Sequence, residues 1–233
     1  MPLPKIDMPL YELTLPSNNK KVKYRPFTVK EEKILLTAQQ SKESGQIVIA
    51  IKQIINNCLQ DYDIDQLSLF DLEYLMINIR SKSVDNNVEF EIEDPETAEK
   101  VKLLLNLENV KVHIDETHTN RIKVDDTYTL FLRYPNIDDF SEILAKNEMS
   151  PEKSYEILLS CIDQLASENE VYKFKDFTKK QVDDFIDSLH SDVTKNIKHF
   201  FDTMPKVRHE IPYTNANGHS KVFTIQGTQS FFM

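Results

Sequence analysis

Val88-Glu89-Phe90-Glu91-Ile92-Glu93 alternates apolar and acidic side chains with a period of two. That pattern is a strand with one dry face and one wet, acidic face. It decides the fold class because the chain on both sides of it reads with helical period. Upstream, Thr28 is placed to cap a helix, with Glu31 at the reciprocal capping-box position and Ile34, Leu35 and Ala38 on its inner face. A second helix is expected from about Gly45 to Leu59, with Ile47, Ile51, Ile54, Ile55 and Cys58 at helical spacing. A third starts near Ser68, carries Leu69, Leu72, Leu75, Met76 and Ile79, and ends at Arg80-Ser81-Lys82-Ser83. Three such stripes can bury one another, so a helical unit spans residues 28–83. Ahead of it, prolines at 2, 4, 9, 16 and 26 make residues 1–27 an extended arm or strands. Leu10-Tyr11-Glu12-Leu13-Thr14-Leu15 and Lys21 to Arg25 flank a turn at Pro16-Ser17-Asn18-Asn19.

Downstream, Val110-Lys111-Val112-His113-Ile114 and Tyr128-Thr129-Leu130-Phe131-Leu132-Arg133 alternate like strands, while residues 96–107 read equally as short helix or strand. Residues 84–135 are therefore expected to form a small antiparallel sheet between helical parts. Helices resume over 136–205. One spans about 137–146. Another starts at Ser150-Pro151 with Tyr155, Leu158, Leu159, Ile162 and Leu165 on its apolar face. Thr178 caps a helix carrying Val182, Phe185, Ile186 and Leu189, and a further helix runs through Ile197 to Phe201. Residues 206–233 close the chain with a hairpin around Asn215-Ala216-Asn217-Gly218 and an aromatic tail. The expected architecture is α+β, mainly helical, with a small central antiparallel sheet and a C-terminal β-hairpin.

Composition narrows the function. The formal charge is -10, with residues 83–118 carrying 3 Lys/Arg against 10 Asp/Glu. An acidic centre repels phosphate backbones, so no nucleic-acid partner is expected. The Lys20-Lys21-Val22-Lys23-Tyr24-Arg25 patch reads as a solvated strand or loop, or as a contact for an acidic partner. Three glycines argue against a Rossmann fold or a phosphate-cradling loop. Cys58 and Cys161 lie inside apolar helical patterns and read as buried free thiols of a reducing compartment. The start has no apolar run of signal-peptide length, and none approaches a membrane span, so production and use in a cytoplasm are expected.

Catalytic chemistry is sparse. His113-x4-His118 departs from zincin spacing, and His209 and His219 alone make a weak zinc pair. Asp125-Asp126, Asp138-Asp139 and Asp183-Asp184 read as helix-start or solvent-face charge. Asp61-Tyr62-Asp63-Ile64-Asp65 lacks the glycine and terminal glutamate of a calcium loop. No catalytic, cofactor-binding or metal-ligating residue is assigned, and an enzyme is not expected. The remaining enzymatic reading would set His113 or His118 against Asp125 in a pocket. The interface candidates are Leu10, Tyr11 and Leu13 in the arm, Phe200, Phe201 and Met204 late in the helical part, and Phe231, Phe232 and Met233 at the tail. Phe200, Phe201 and Met204 either close a core or meet a partner; apolar side chains at a chain end stay ordered only by docking.

Several motifs carry a resemblance. Leu15-Pro16-Ser17, Tyr24-x-Pro26-Phe27, Glu31-Glu32-Lys33-x-Leu35-Leu36, Asp71-x-Glu73-Tyr74-Leu75 and Ile79-Arg80-Ser81-Lys82-Ser83 come in the first part of the chain. Phe185-Ile186-x-Ser188-Leu189, Phe200-Phe201-x-Thr203-Met204-Pro205 and Gly227-x4-Phe232 come in the second. Together, in this order, they resemble the baseplate hub and hub-assembly proteins of contractile-tailed, T-even-type bacteriophages. The resemblance implies a structural subunit of the tail baseplate hub that works by protein–protein contacts. The implied partners are other hub proteins, including the spike, the hub ring or the tape-measure protein, with a homo-oligomer as a further option. It also implies presence in the host cytoplasm during assembly and then in the virion tail. The alternative role is a hub-assembly catalyst or chaperone that masks a hub or tape-measure partner and leaves before the virion is complete. Many members of that family carry a Cys-x-x-Cys-Gly knuckle in the C-terminal hairpin. Here the equivalent turn, Thr214-Asn215-Ala216-Asn217-Gly218, keeps the glycine and lacks the thiols, so no metal is expected.

Overall fold

Glu31 supplies its half of a capping box at the start of the first helix. Its carboxylate accepts from the Thr28 N–H at 2.9 Å, and the Thr28 hydroxyl accepts from the Lys30 N–H. The computed structural model describes residues 6–41, 44–140 and 150–226. It divides into two compact units: a discontinuous one, residues 1–113 with 206–233, and an inserted one, residues 114–205.

In the discontinuous unit, β1 (Tyr11–Thr14), β2 (Lys21–Tyr24) and β3 (Leu59–Gln60) form an antiparallel sheet in that order. Helices α1 (Val29–Ser41), α2 (Ser44–Cys58) and α3 (Leu69–Ser83) supply most of the core. Ile51, Ile54, Ile55, Leu75, Met76 and Ile79 are essentially inaccessible to solvent. Helix α3 also ties down the preceding strands. Buried Asp71 accepts from the Ser17 backbone N–H at 3.1 Å and from the Ser68 hydroxyl at 2.7 Å. At the other end of the helix, the Ser83 hydroxyl accepts from the Phe27 N–H at 2.8 Å. A two-stranded ribbon follows, β4 (Asn87–Glu93) with β5 (Lys100–Asn106), so most of the ambiguous stretch 96–107 is a strand. A separate sheet has the order β12–β11–β6, from β6 (Lys111–His113), β11 (Lys206–Thr214) and β12 (Ser220–Gln226).

The inserted unit holds a four-stranded antiparallel sheet in the order β10–β9–β8–β7, built from β7 (Arg121–Lys123), β8 (Thr129–Leu132), β9 (Ile162–Ala166) and β10 (Val171–Lys173). Its helices are α4 (Pro151–Ser160), α5 (Lys179–Asp187) and α6 (Ser191–Thr203). Ser150 caps α4 ahead of Pro151, and Thr178 with Gln181 makes a full capping box for α5. Leu130, Leu132, Ile162, Val193, Ile197 and Phe200 form its core.

The fold class needs correction. The chain is α+β, but among the described residues 40% are helix and 28% strand, the latter in four small sheets, so it is not mainly helical around one central sheet. The region read as one middle sheet, residues 84–135, contributes strands to three: β4 and β5, then β6, then β7 and β8. The helix expected from Ser150 through Leu165 stops at Ser160, and Ile162 to Ala166 is a strand paired on both sides. The cause is an irregularity in pairing, since Leu132 faces Ile162 while its neighbour Phe131 faces Gln164. The extra residue, Asp163, puts the two buried residues Ile162 and Leu165 three apart. A bulged strand thereby imitates helical spacing. Near 137–146, a 3-10 turn covers Asp138–Phe140, and residues 141–146 of that expected helix lie outside the described residues.

Candidate functional site

In the inserted unit, α5 and its flanking turns stand off from the sheet and leave a cleft of about 590 Å³. Tyr128, Leu165 and Tyr172 line the sheet side, and Val182, Phe185 and Leu189 line the α5 side. Phe174 and Phe177 come from the 3-10 turn Phe174–Asp176 and the residue after it. The rings brace one another: Phe174 meets Phe185 edge-on at 5.6 Å, and Tyr172 lies 6.4 Å from Phe177. Several polar atoms of the lining already serve local turns and caps. Asp125 Oδ1 accepts from the Thr127 and Tyr128 N–H groups at 2.7 Å each. Gln181 Oε1 accepts from the Thr178 N–H and hydroxyl, the Ser188 hydroxyl donates to the Phe185 carbonyl, and His190 Nδ1 accepts from the Asp192 N–H. To an incoming group the cleft is chiefly apolar.

Elsewhere in the same unit, His118 makes two side-chain hydrogen bonds of 3.0 Å, Nδ1 with Thr203 Oγ1 and Nε2 with the Tyr134 hydroxyl. Thr203 donates to the His199 carbonyl at 2.7 Å, so it accepts from His118 Nδ1–H, which leaves Nε2 to accept from Tyr134. Both ring nitrogens are thus engaged in packing α6 against the loop before β7. Desolvation holds the His118 imidazole below its ordinary 6.5, with His199 adding to the effect and Asp115 opposing it. A base whose folded pKa is depressed binds its proton less readily folded than unfolded. Its stabilising contribution is therefore complete above about pH 6.5 and declines as the pH falls from there toward the folded value. Chemical denaturation followed from pH 8 to 5.5 should show this slope for the inserted unit, and His118→Phe should flatten it while lowering stability throughout. An unchanged slope would assign the effect to another group.

A family model described as T4 bacteriophage base plate protein matches residues 8–233. The chain belongs to this T4-type baseplate family. It is a bacteriophage baseplate protein with a structural role in the virion tail, among other baseplate proteins. No curated protein and no solved structure gives a significant match. Among the described residues, no helix of this baseplate protein is long and apolar enough to cross a membrane, and no three His, Cys, Asp or Glu side chains are grouped to hold a metal ion.

The candidate residues of the baseplate protein separate into three kinds. Leu10 is exposed, while Tyr11 and Leu13 are half-buried in β1, where Tyr11 packs 5.8 Å from Tyr24. Phe200 is 1% exposed in the inserted unit's core, and Phe201 and Met204 pack against it. Phe231, Phe232 and Met233 lie outside the described residues. Of the pair considered for an enzyme, His118 binds Thr203 and Tyr134, whereas Asp125 caps its own turn. Asp139 forms a bidentate pair with Arg133, both contacts at 2.7 Å. Cys58 and Cys161 are buried free thiols, pushed up to about 11 and about 12 chiefly by burial.

The C-terminal turn has a partner that sequence reasoning missed. Gly218 takes φ +81, and the Asn215 side chain accepts from the Asn217 and His219 N–H groups, which shapes the turn locally. Across from it, in the same unit, lies the β4–β5 turn. Asp94 accepts from the Tyr213 hydroxyl at 2.7 Å, and Glu96 accepts from Asn215, Asn217 and Lys221 and pairs with His219. Tyr213 above all holds the Asp94 carboxyl at about 2, and Lys221 with Asn217 does the same for Glu96. Both values lie below the ordinary 3.8 and 4.5, so this stabilisation is present above about pH 4.5 and is lost as the pH falls toward 2. Glu96→Gln should shift the acid unfolding midpoint of this unit upward, and an unshifted acid titration would show that the clasp adds nothing.

Proposed function

We propose that this baseplate protein is a non-enzymatic structural subunit of the central hub, joining neighbouring hub proteins through apolar contacts. The hub assignment is supported by the ordered succession of motifs from Leu15-Pro16-Ser17 to Phe200-Phe201-x-Thr203-Met204-Pro205, which resembles hub and hub-assembly proteins. The observation that carries the contact role is the arm. Ile6, Met8 and Leu10 are 86%, 38% and 51% exposed and lead directly into β1, an edge strand of its sheet. An extended apolar segment running into an edge strand is suited to pairing with a strand or groove of another protein. The chain would work in the host cytoplasm while the tail is built and then stay in the baseplate.

The second reading, a hub-assembly catalyst or chaperone, draws on the open aromatic cleft, which could cover an apolar partner surface before the tail closes. Quantitative mass spectrometry of purified virions and of assembly intermediates separates the two. A fixed integer copy number in both samples is expected for the hub subunit. Presence in intermediates with loss from virions would overturn that reading in favour of the assembly factor.

A further inference from the structure

The same arginine latch is built twice, once in each unit. In the discontinuous unit, Arg25 directly follows β2, and its N–H donates to the carbonyl of Cys58, the last residue of α2, at 3.0 Å. In the inserted unit, Arg133 directly follows β8, and its N–H donates to the carbonyl of Cys161, which caps the end of α4, at 2.8 Å. Each guanidinium donates to the next residue's carbonyl, Pro26 or Tyr134, and forks onto the carboxylate six residues on, Glu31 or Asp139. The carboxylate oxygens are shared out alike. The one facing Nη1 accepts from the N–H three residues back, Thr28 at 2.9 Å or Asn136 at 2.8 Å. The one facing Nη2 accepts from the side chain just before the cysteine, Asn57 at 3.3 Å or Ser160 at 3.1 Å.

The order of elements around the latch repeats as well. A hairpin comes first, β1–β2 or β7–β8, and the residue past its first strand donates to the one just before its second, Leu15 to Lys20 and Val124 to Tyr128. After the cysteine, a strand pairs back onto the hairpin, so that Leu59 faces Tyr24 and Ile162 faces Leu132. A 3-10 turn follows, Ile64–Gln66 or Phe174–Asp176, and then a helix capped by the same two bonds, from Ser68 with Asp71 or Thr178 with Gln181. Hairpins and capping boxes recur in unrelated proteins, but neither requires an arginine that ties a strand end to a helical turn and to the end of a later helix. We infer that residues of about 11–79 and 121–189 are two copies of one folding module, produced by internal duplication. The inference does not depend on the hub assignment. Glu stands for Asp, Thr for Asn and Asn for Ser between the latches, so the repeat does not show as a periodicity in the sequence. The copies part after the cysteine: the cap comes ten positions after Cys58 but seventeen after Cys161, and β10 occupies the added length. Leu72, Leu75 and Ile79 follow the first cap at the spacing with which Val182, Phe185 and Leu189 follow the second. The first three are buried and the second three line the aromatic cleft, so the cleft is the module's helix seam, closed in one copy and open in the other.

Common origin is tested by aligning the first and second halves of many members of the baseplate family with each other. The halves should match best where Arg25 meets Arg133, Cys58 meets Cys161 and Ser68 meets Thr178. A best match at other offsets, or none above that of shuffled sequences, would overturn the duplication. Equivalence of the two latches is tested in the full chain by peptide-resolved hydrogen exchange. Asn136→Thr with Asp139→Glu gives the inserted unit the capping pair of the other copy, and Thr28→Asn with Glu31→Asp does the reverse. Each exchange should keep amide protection of its own unit within about threefold of the unaltered chain. Asp139→Ala, which removes the latch, should lower protection over residues 121–187 by about tenfold or more and leave residues 11–83 unmoved. An exchange as damaging as alanine, or protection unchanged by Asp139→Ala, would show that the two clusters are not one device and would remove the module reading.

Discussion

Phe200→Ala is expected to lower the stability of the inserted unit by about 3–5 kcal/mol, the range for deleting a buried aromatic side chain. The ring is 1% exposed on α6 and meets three others: Phe201 edge-on at 5.1 Å, Tyr134 nearly parallel at 5.5 Å, and His118 at 5.1 Å. Truncation opens a void among groups that cannot collapse into it freely, because His118 and Tyr134 are also held by hydrogen bonds. Urea denaturation of the full chain would read the change. A loss under about 1 kcal/mol, combined with loss of a baseplate partner, would return Phe200 to the interface role that the sequence left open.

Glu31→Ala should cost the discontinuous unit about 3 kcal/mol, the lower end for removing one partner of a buried ion pair because Arg25 keeps some access to water. The Glu31 carboxylate is 1% exposed and accepts from the Thr28 N–H and hydroxyl, both Arg25 terminal nitrogens and the Asn57 amide. Burial alone would raise its pKa, but the Thr28 and Arg25 hydrogen bonds outweigh it and hold the group at about 2. Since the folded value lies below the ordinary 4.5, this contribution is intact above pH 4.5 and fades as the pH drops toward 2. Glu31→Gln keeps the shape and one acceptor, so it should cost less than alanine and show a shallower acid slope. Equal stability of all three proteins would mean that the cluster is no more than neutral to folding.

These two sites also show what the sequence disclosed. The Thr28–Glu31 box was legible because its partners are three residues apart, and local spacing is what a single sequence displays. The same holds for Thr178 as the cap of its helix and for the turn at Asn215. The further role of Glu31, binding Arg25 and Asn57, needed the folded chain. Strand β9 was misread because its bulge spaces Ile162 and Leu165 like helix residues. The clasp between Glu96 and the C-terminal turn joins residues more than a hundred positions apart, beyond any periodicity argument. The cleft was hidden for a different reason. Phe185 and Leu189 carry the ordinary pattern of a core-facing helix, and nothing in that pattern says the opposing surface stands back from part of it. The motifs that resemble hub proteins prove to be largely scaffold: Ser17 and Asp71 bond to each other, as do Phe27 and Ser83.

His113, at the end of β6, is the register partner of Lys206, at the start of β11. Pairing these strands closes a loop whose entropic cost is about 4 kcal/mol if the intervening chain is still disordered. A ribosome releases β11 and β12 well after β6, so β6 and the Asp94–Glu96 turn must wait for them with their partners unmade. The inserted unit, continuous and complete earlier, can fold first and shorten the gap. Maturation of the discontinuous unit is thereby delayed until the insert has been made, and loss of β11 and β12 would leave an early-folded insert on an unfinished frame.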